Sequence, residues 1–386
     1  MWITSSLKAA KAPVNIALGN FDGVHLGHQR VMAQILSSPI ASAMSGATSG
    51  AVSSGAILSA SPLSDSLSAA PQAPFSAQSI TALHRGVIAS GHSHLSESDS
   101  PEAIELPIGN AAASPEAFAT VVTFSPHPQE YFSGVSKPLL TPVAEKTWQL
   151  AQLGIHQLVM LPFDQALASL SPEAFVEQIL IDGLQAKRIS VGSDFRFGKG
   201  RSGDAEGLRA IAAKHGIPVT LVPLKHEKGD RISSSRIRQA LDTGNLEEAT
   251  HLLGRPYTLT GRVVQGKQLG RTIGFPTANL QIPTKKYLPR TGVYSVWVYG
   301  AEDGACTPSS AQPLKGVMNI GNRPTVDGQA LSVEVHVMDW TGDLYGKLIT
   351  ASLEGFVRAE QKFDSLDGLK AQIAQDCQVA IATLTQ

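Results

Sequence analysis

Between Pro13 and Pro223, short apolar runs alternate with stretches of helical spacing, and the polar clusters follow the apolar runs. Pro13–Leu18, Ala119–Phe124, His156–Leu161, Arg188–Gly192 and Pro218–Pro223 read as strands; Val24–Leu36, Glu145–Leu153, Pro172–Leu184 and Gly203–His215 read as helices. In the first helix Val24, Val31, Ile35 and Leu36 can share a face. Strands that alternate with helices build a parallel sheet covered on both faces, because a parallel neighbour needs a long crossover. Ligands of such sheets sit beyond the carboxyl ends of the strands. At Gly254-Arg255-Pro256 the pattern changes. From Tyr257 onward the runs Leu259–Val264, Val293–Tyr299, Leu314–Asn319, Leu331–Met338 and Ile349–Val357 are separated by Gly and Pro, which predicts an antiparallel barrel or sandwich. Leu366–Leu384 reads as one closing helix. The expected organisation is an α/β domain over 1–250 and a β domain over 251–386, with the boundary between about Leu246 and Tyr257.

One segment breaks the alternation. From Ser38 to Ser136 the only basic residue is Arg85, and Ala, Ser, Gly and Pro dominate. This dilution explains why charged residues make up only 16% of the chain, against about 25% in an ordinary soluble protein. Residues 38–117 are expected to form a disordered insertion, since they cannot bury enough apolar surface to offset chain entropy. Closing even a long surface loop costs only logarithmically in its length. Thirty-one basic against 32 acidic residues leave a net charge of −1, so there is no global pull on nucleic acid. Cys306 and Cys377 lie far apart, which excludes a disulfide framework or a cysteine zinc site and fits a reducing cytosol. No signal peptide is read at the N-terminus and no run reaches the ~20 apolar residues of a membrane span. A cytoplasmic protein with neither a nucleic-acid nor a membrane partner is expected; the oligomeric state stays open.

The densest motif is the turn Gly19-Asn20-Phe21-Asp22-Gly23-Val24-His25-Leu26-Gly27-His28 after the first strand. Gly19, Gly23 and Gly27 allow close backbone approach to a ligand. The helix start offers N–H groups and a positive dipole end to phosphate. His25 and His28 fall on one face and can donate hydrogen bonds to an α-phosphate during an in-line displacement. A His-x-x-His pair by itself is as compatible with a core or surface pair; the strand and the glycine-rich turn point to phosphate chemistry. Ile232-Ser233-Ser234-Ser235-Arg236-Ile237-Arg238 opens another helix, where hydroxyls and guanidiniums suit departing β- and γ-phosphates, or an ordinary N-cap with a solvated arginine face. Between them Asp194, Phe195 and Arg196 lie on a glycine-rich loop suited to an anionic second substrate.

In the second half, Gly266, Gly270 and Gly274 form a flexible flap that can cradle phosphates, or a glycine-rich turn; the spacing is not that of a Walker sequence. Thr277 and Asn279 are hard oxygen donors on one side of an extended segment, suited to Mg²⁺. Glu334 alternates against Val333, Val335 and Val337, as a solvent-facing strand residue or as a general base.

GNFDGVHLGHQ, TFSPHP, LPFD, SDFRFGKGRSGD and ISSSRIR resemble the nucleotidyltransferase module of the prokaryotic bifunctional riboflavin kinase/FAD synthetase family. GRTIGFPTANL, GVYSVWV, GVMNIGNRPTV, VEVHVMDWTGDLYGK and EQKFDSLDGLKAQI resemble its riboflavin kinase module. The resemblance covers about residues 13–36 and 118–386. It implies a Rossmann-like first module that transfers AMP from ATP to FMN, and a barrel that phosphorylates riboflavin with ATP and Mg²⁺. By motif, His25 and His28 are implied to stabilise the α-phosphate, with Asn20 and Asp22 in the same turn. Ser234, Arg236 and Arg238 are implied to grip the ATP phosphates, and the loop around Asp194 and Arg196 to contact nucleotide or flavin. Thr277 and Asn279 match the family's Mg-ATP motif and Glu334 its catalytic base; Asn319 and Arg323 lie on a segment near its ligands. Ser125 stands where the family has Glu, and Ser235 where it has Thr. The rival readings are another small-molecule adenylyltransferase, against which the complete second half argues, and a non-catalytic flavin or nucleotide binder, in which His28 or Glu334 would be lost.

Overall fold

The computed structural model describes residues 1–36, 103–105, 116–227, 230–266, 269–300, 313–325 and 328–385. The first half is built on a seven-stranded sheet in the order Ala103–Glu105, Trp2–Thr4, Gln157–Pro162, Phe118–Ser125, Val14–Leu18, Ala186–Gly192, Val219–Val222. All neighbours are parallel except the first pair. Strand alternation sorts the core into two layers. Ala17, Ala119, Val121 and Leu158 pack on one face against Val31, Met32, Ile35 and Leu150. Val14, Ile16, Leu18, Val122, Val159 and Leu161 pack on the other against Phe175, Val176, Leu180, Leu208 and Ile211. Burial on both faces is why these strands read as apolar runs. From Val14–Leu18 the chain moves outward to Phe118–Ser125 and Gln157–Pro162, then returns to Ala186–Gly192 on the other flank. This reversal opens a crevice at the carboxyl ends of the central strands.

Tyr257–Val264, Ala278–Gln281, Gly328–Val337, Leu314–Thr325, Gly292–Tyr299 and Leu348–Arg358 pair in that order as a closed barrel with antiparallel neighbours. Leu259, Val263, Leu280, Tyr294, Val296, Met318, Val333, Val335 and Ile349 belong to its core. The same buried cluster continues into Ile237, Ala240, Leu241, Leu246, Leu252 and Leu253, on the helices Ser234–Thr243 and Leu246–Leu253. The helical hairpin that ends the first half thus shares a core with the barrel.

The closing helix, Leu366–Thr383, lies on the outside of the barrel. Cys377 and Ala380 pack on Val293 and Val317, and Asp376, 3% exposed, takes a forked bond from Arg358: Nε to Oδ1 at 2.9 Å and Nη2 to Oδ2 at 2.7 Å. Gln372 Nε2 donates to the same carboxylate at 3.0 Å.

Within the seven-stranded sheet and the barrel, the sequence reading missed three strands. Trp2–Thr4 and Ala103–Glu105 have three residues each, too few to show a period, and exist through pairing with one another and with Gln157–Pro162. Ala278–Gln281, hidden behind Pro276, is a strand because it bridges Tyr257–Val264 and Gly328–Val337. Most of the expected insertion, 38–117, lies outside the described residues; within it Ala103–Glu105 adds an antiparallel edge to the sheet. Among the described residues no helix is long and apolar enough to cross a membrane.

Replacing Asp376 by Ala leaves the Arg358 guanidinium without its carboxylate beside the closing helix. Loss of one partner of a buried pair costs about 3 kcal/mol, so the urea midpoint of Asp376→Ala is expected to fall well below that of the parent chain.

Candidate functional site

The crevice is a cleft of about 1260 Å³, larger than the roughly 300–1,000 Å³ usual for one drug-sized ligand. Gly19 to Asp22, His25 and His28 line one wall; Asp194, Phe195, Arg196, Ser233 to Ser235 and Arg238 line the others. Its floor is the turn after Val14–Leu18. Phe21 (φ 50°), Gly23 (φ 89°) and Val24 (φ 45°) all sit in left-handed backbone. For a β-branched residue such as Val24 this is strained by about 1–3 kcal/mol, so the surroundings must over-determine it. Thr141 Oγ1 accepts the Gly23 N–H at 2.9 Å, and Arg255 donates to the carbonyls of Gly23 (2.8 Å) and Val24 (3.3 Å).

Asp22 ties this turn to two distant segments. Its Oδ1 accepts the Thr141 N–H at 3.2 Å, its Oδ2 accepts from Arg238 Nη2 at 2.5 Å, and its carbonyl accepts the Ser234 hydroxyl at 2.8 Å. The turn then releases the chain into the helix Leu26–Ala33, with His25 as N-cap. His25 Nδ1 accepts the His28 N–H at 3.3 Å, which leaves the ring proton on Nε2. The two imidazoles stack with centroids 3.5 Å apart. Among the described residues His28 Nδ1 is buried with no hydrogen-bond partner. Burial pushes the His25 pKa down to about 4, against a smaller opposing pull from Asp22. Burial, and then the neighbouring His25, hold His28 well below the ordinary range. Both rings are neutral at pH 7 and can donate without carrying charge. A helix start with a free first turn was expected; here His25 itself occupies one of those donors.

Of the expected phosphate-gripping residues, Ser234 and Arg238 line the cleft and Arg236 does not. Ser234 and Arg238 are four apart on their helix and share a face, whereas Arg236 is about 200° from each. Its Nε donates instead to Glu248 at 2.8 Å. Asp194 and Arg196 reach the cleft, in ion pairs with Arg231 (2.5 Å) and Asp204 (3.0 Å). These pairs are about half exposed and therefore cheap to exchange for a ligand. Gly27 underlies the stacked pair, where a Cβ would sit 3.2 Å from the His25 ring. Ser125 ends its strand exposed, and its carbonyl accepts the Phe163 N–H at 3.0 Å.

Lys146 and Arg231 escaped the sequence reading. Lys146 is buried, its pKa lowered by that burial, and its Nζ donates to the Asn20 carbonyl at 3.0 Å. The signal was a lysine four residues before the buried Leu150 on an amphipathic helix. Arg231, which lines the cleft opposite the histidines, carries no spacing signal.

On the barrel, Asn279 is paired in register with Glu334, and Glu334 with Asn319. Val333 and Val335, in the barrel core, alternate with Glu334, so the three polar residues form one row on the outer face. The Thr277 hydroxyl donates to Glu334 Oε2 at 3.4 Å. Within the expected flap Leu269–Thr272 forms a helical turn, and Gly274 is left-handed (φ 87°). A Cβ on Gly266 would overlap the Asn279 amide, and one on Gly270 would overlap the Phe275 carbonyl and lie 3.4 Å from Thr277 Oγ1. These two glycines therefore let backbone press onto the Thr277–Asn279 oxygens. Arg323 lies in the strand that carries Asn319, and its side chain is outside the described residues.

Two family models match the chain: riboflavin kinase over residues 253–384, and FAD synthetase over 7–47 and 107–236. The bifunctional riboflavin kinase/FMN adenylyltransferase of Escherichia coli (strain K12) is 44% identical over 257 residues, 66% of this chain and 79% of its own length. Its counterpart in Pseudomonas fluorescens is 39% identical over 263 residues, 68% of this chain and 81% of its own. A crystal structure described as a macrolide-efflux protein from Streptococcus pneumoniae matches with a TM-score of 0.67 at 26% identity, covering 98% of this chain and 97% of that one.

The neutral histidines make the ligand-free fold sensitive to acid. A histidine whose pKa drops from 6.5 to about 4 on folding binds its proton more tightly in the unfolded chain, so its stability contribution is present above 6.5 and lost as pH falls toward 4. From His25 alone the loss by about pH 5 is about 2 kcal/mol. Urea midpoints at the two pH values should differ less for His25→Gln than for the parent chain.

Proposed function

Because the chain belongs to the bifunctional riboflavin kinase/FMN adenylyltransferase family, we propose that the cleft over the Gly19–His28 turn is its adenylyl-transfer centre and that the outer-face row around Glu334 is its kinase centre. The protein is a two-activity enzyme: it phosphorylates riboflavin to FMN with ATP and adenylylates FMN to FAD with release of pyrophosphate. The observation that carries the assignment of the first centre is the stacked, neutral His25–His28 pair at a helix start inside a cleft larger than one ligand needs.

In adenylyl transfer an FMN phosphate oxygen attacks the α-phosphorus of ATP, a new P–O bond forms, and the bond from the α-phosphorus to the bridging oxygen breaks as pyrophosphate leaves. The His25 Nε2–H and the His28 ring donate to the α-phosphate oxygens as charge gathers there. Being uncharged, they do so without drawing the ligand-free site into ion pairs. Ser234, Arg238 and the N–H groups opening the helix after Ser233 hold the leaving pyrophosphate. Asn20 and Asp22 keep the turn in shape around Gly19, Phe21, Gly23 and Gly27. Asp194, Phe195 and Arg196 meet the flavin or nucleotide on the opposite wall. Arg236 acts at one remove, by holding Glu248 and so the helix on which Arg238 stands.

In the kinase, Glu334 takes the proton of the terminal ribityl hydroxyl as that oxygen attacks the γ-phosphorus and ADP leaves. Asn319 and Arg323 flank the flavin side. The donor set of Thr277 hydroxyl and Asn279 amide oxygen, pressed by Gly266 and Gly270, fits Mg²⁺, which takes few protein oxygens and keeps substrate phosphates and water. When bound, the ion neutralises phosphate charge. Gly274 lends the segment its left-handed turn. A cytoplasmic setting is supported by the two separated cysteines, Cys306 and Cys377. We divide the chain functionally into 1–250 and 251–386.

Chromatography of flavins formed from ATP and either riboflavin or FMN tests both assignments. His28→Ala is expected to lower FAD formation by about 100-fold or more while sparing FMN formation, and Glu334→Gln to do the reverse. Loss of both activities in either folded variant would overturn the two-centre reading.

A further inference from the structure

The cleft in the first half is not closed by the first half alone. Tyr287, between two barrel strands, lines it. The Arg238 guanidinium lies over the Tyr287 ring, 5.3 Å from its centroid, and the Tyr287 hydroxyl donates to Asp242 Oδ1 at 2.6 Å. Asp242 is four residues beyond Arg238 on the same helix. The tyrosine therefore spans that helix, covering the guanidinium at one point and bonding the carboxylate at the other. Arg238 has a second demand on it, the Asp22 carboxylate at 2.5 Å and the Pro138 carbonyl at 3.0 Å. The ring thus sets the side from which the guanidinium can meet anything in the cleft.

Tyr287 is itself held. Its N–H donates to the Leu139 carbonyl at 2.8 Å, the Leu139 N–H donates to the Lys285 carbonyl at 2.6 Å, and its own carbonyl accepts the Tyr257 hydroxyl at 2.7 Å. Beside it the Lys286 ammonium, with a side chain only 1% exposed, donates to the Leu140 carbonyl at 2.8 Å and pairs with Glu145. The segment so fastened, Leu139–Leu140, leads directly to Thr141, whose amide and hydroxyl hold Asp22 and Gly23. A surface contact between independent halves has no need of a buried ammonium and two backbone bonds aimed at the residues next to a catalytic turn.

We infer that Tyr287 of the barrel half is a positioning residue for adenylyl transfer, fixing the Arg238 guanidinium against Asp22 in the orientation that grips ATP phosphate. The inference rests on the reading of the cleft as the transferase centre. Cation–π contacts contribute about 0.5–2 kcal/mol, which in a uniform binding interaction is about a two- to thirtyfold rise in KM with little change in kcat.

The test uses the full chain, with FMN and ATP as transferase substrates and riboflavin and ATP as kinase substrates. Tyr287→Ala is expected to raise the transferase KM for ATP by about tenfold, to leave its kcat within about threefold, and to leave the kinase unchanged. Tyr287→Phe, which keeps the ring and loses only the bond to Asp242, should recover most of the affinity. Unchanged KM for ATP in Tyr287→Ala, or an equal fall in both activities with a lowered melting temperature, would overturn the inference; the second result would mark Tyr287 as structural only. His28→Ala separates the two levels. If it leaves FAD formation intact, the cleft reading itself fails; if it abolishes FAD formation while Tyr287→Ala is silent, only the role of Tyr287 fails.

Discussion

The carboxylate of Asp22 is the constraint on which the first half converges. It receives a backbone N–H from one loop and a guanidinium from a helix more than two hundred positions later, while its carbonyl receives a hydroxyl from the start of that helix. A charge-assisted bond to a mostly buried carboxylate is stronger than a neutral one. Around it the backbone adopts left-handed conformations at Phe21 and Val24 that few local sequences would choose. The strain is tolerable because Thr141 and Arg255 occupy both polar groups of Gly23 between them. The histidines are aimed into the cleft only because this turn ends where it does.

In the reading proposed above, the two centres handle phosphate differently. In the cleft, neutral imidazoles, a helix start and Arg238 surround the space where the substrate phosphates would lie. On the barrel, Asn279, Glu334 and Asn319 stand in a row on the outer face of three adjacent strands, with Gly266 and Gly270 packed closely beside Thr277 and Asn279. A parallel sheet offers a crevice at its reversal, whereas a small closed barrel filled by Tyr294, Val296, Val333 and Val335 has no room inside.

The alternation of strands with helices and the change of period near Gly254 were legible because both rest on side-chain spacing, and the observed elements follow them closely. The histidine turn was legible because its residues are adjacent in the chain. Glu334 could be placed on a strand but not in a row with Asn279 and Asn319, since register is a property of pairing. Arg236 and Arg238 stand two residues apart in one motif, and helical geometry turns them nearly opposite ways, so only Arg238 lines the cleft. Lys146 works on the Asn20 carbonyl 126 positions away, Arg231 on Asp194 at 37, Arg255 on the Gly23 carbonyl at 232 and Tyr287 on Arg238 at 49, and such long-range pairings leave no local pattern that names the partner.

The helix Leu26–Ala33 runs from the cleft back toward the opposite edge of the sheet, and there Arg188 donates to the Gln34 carbonyl. The chain re-enters at Glu116, immediately before Phe118–Ser125 begins. Both ends of the long Ala- and Ser-rich stretch are thus anchored at the amino edge of the strands, a full strand length from the Gly19–His28 turn. Chain added at that edge lengthens the molecule on the side of the sheet away from the turn that carries His25 and His28, so the two ends of the same strands carry separate demands.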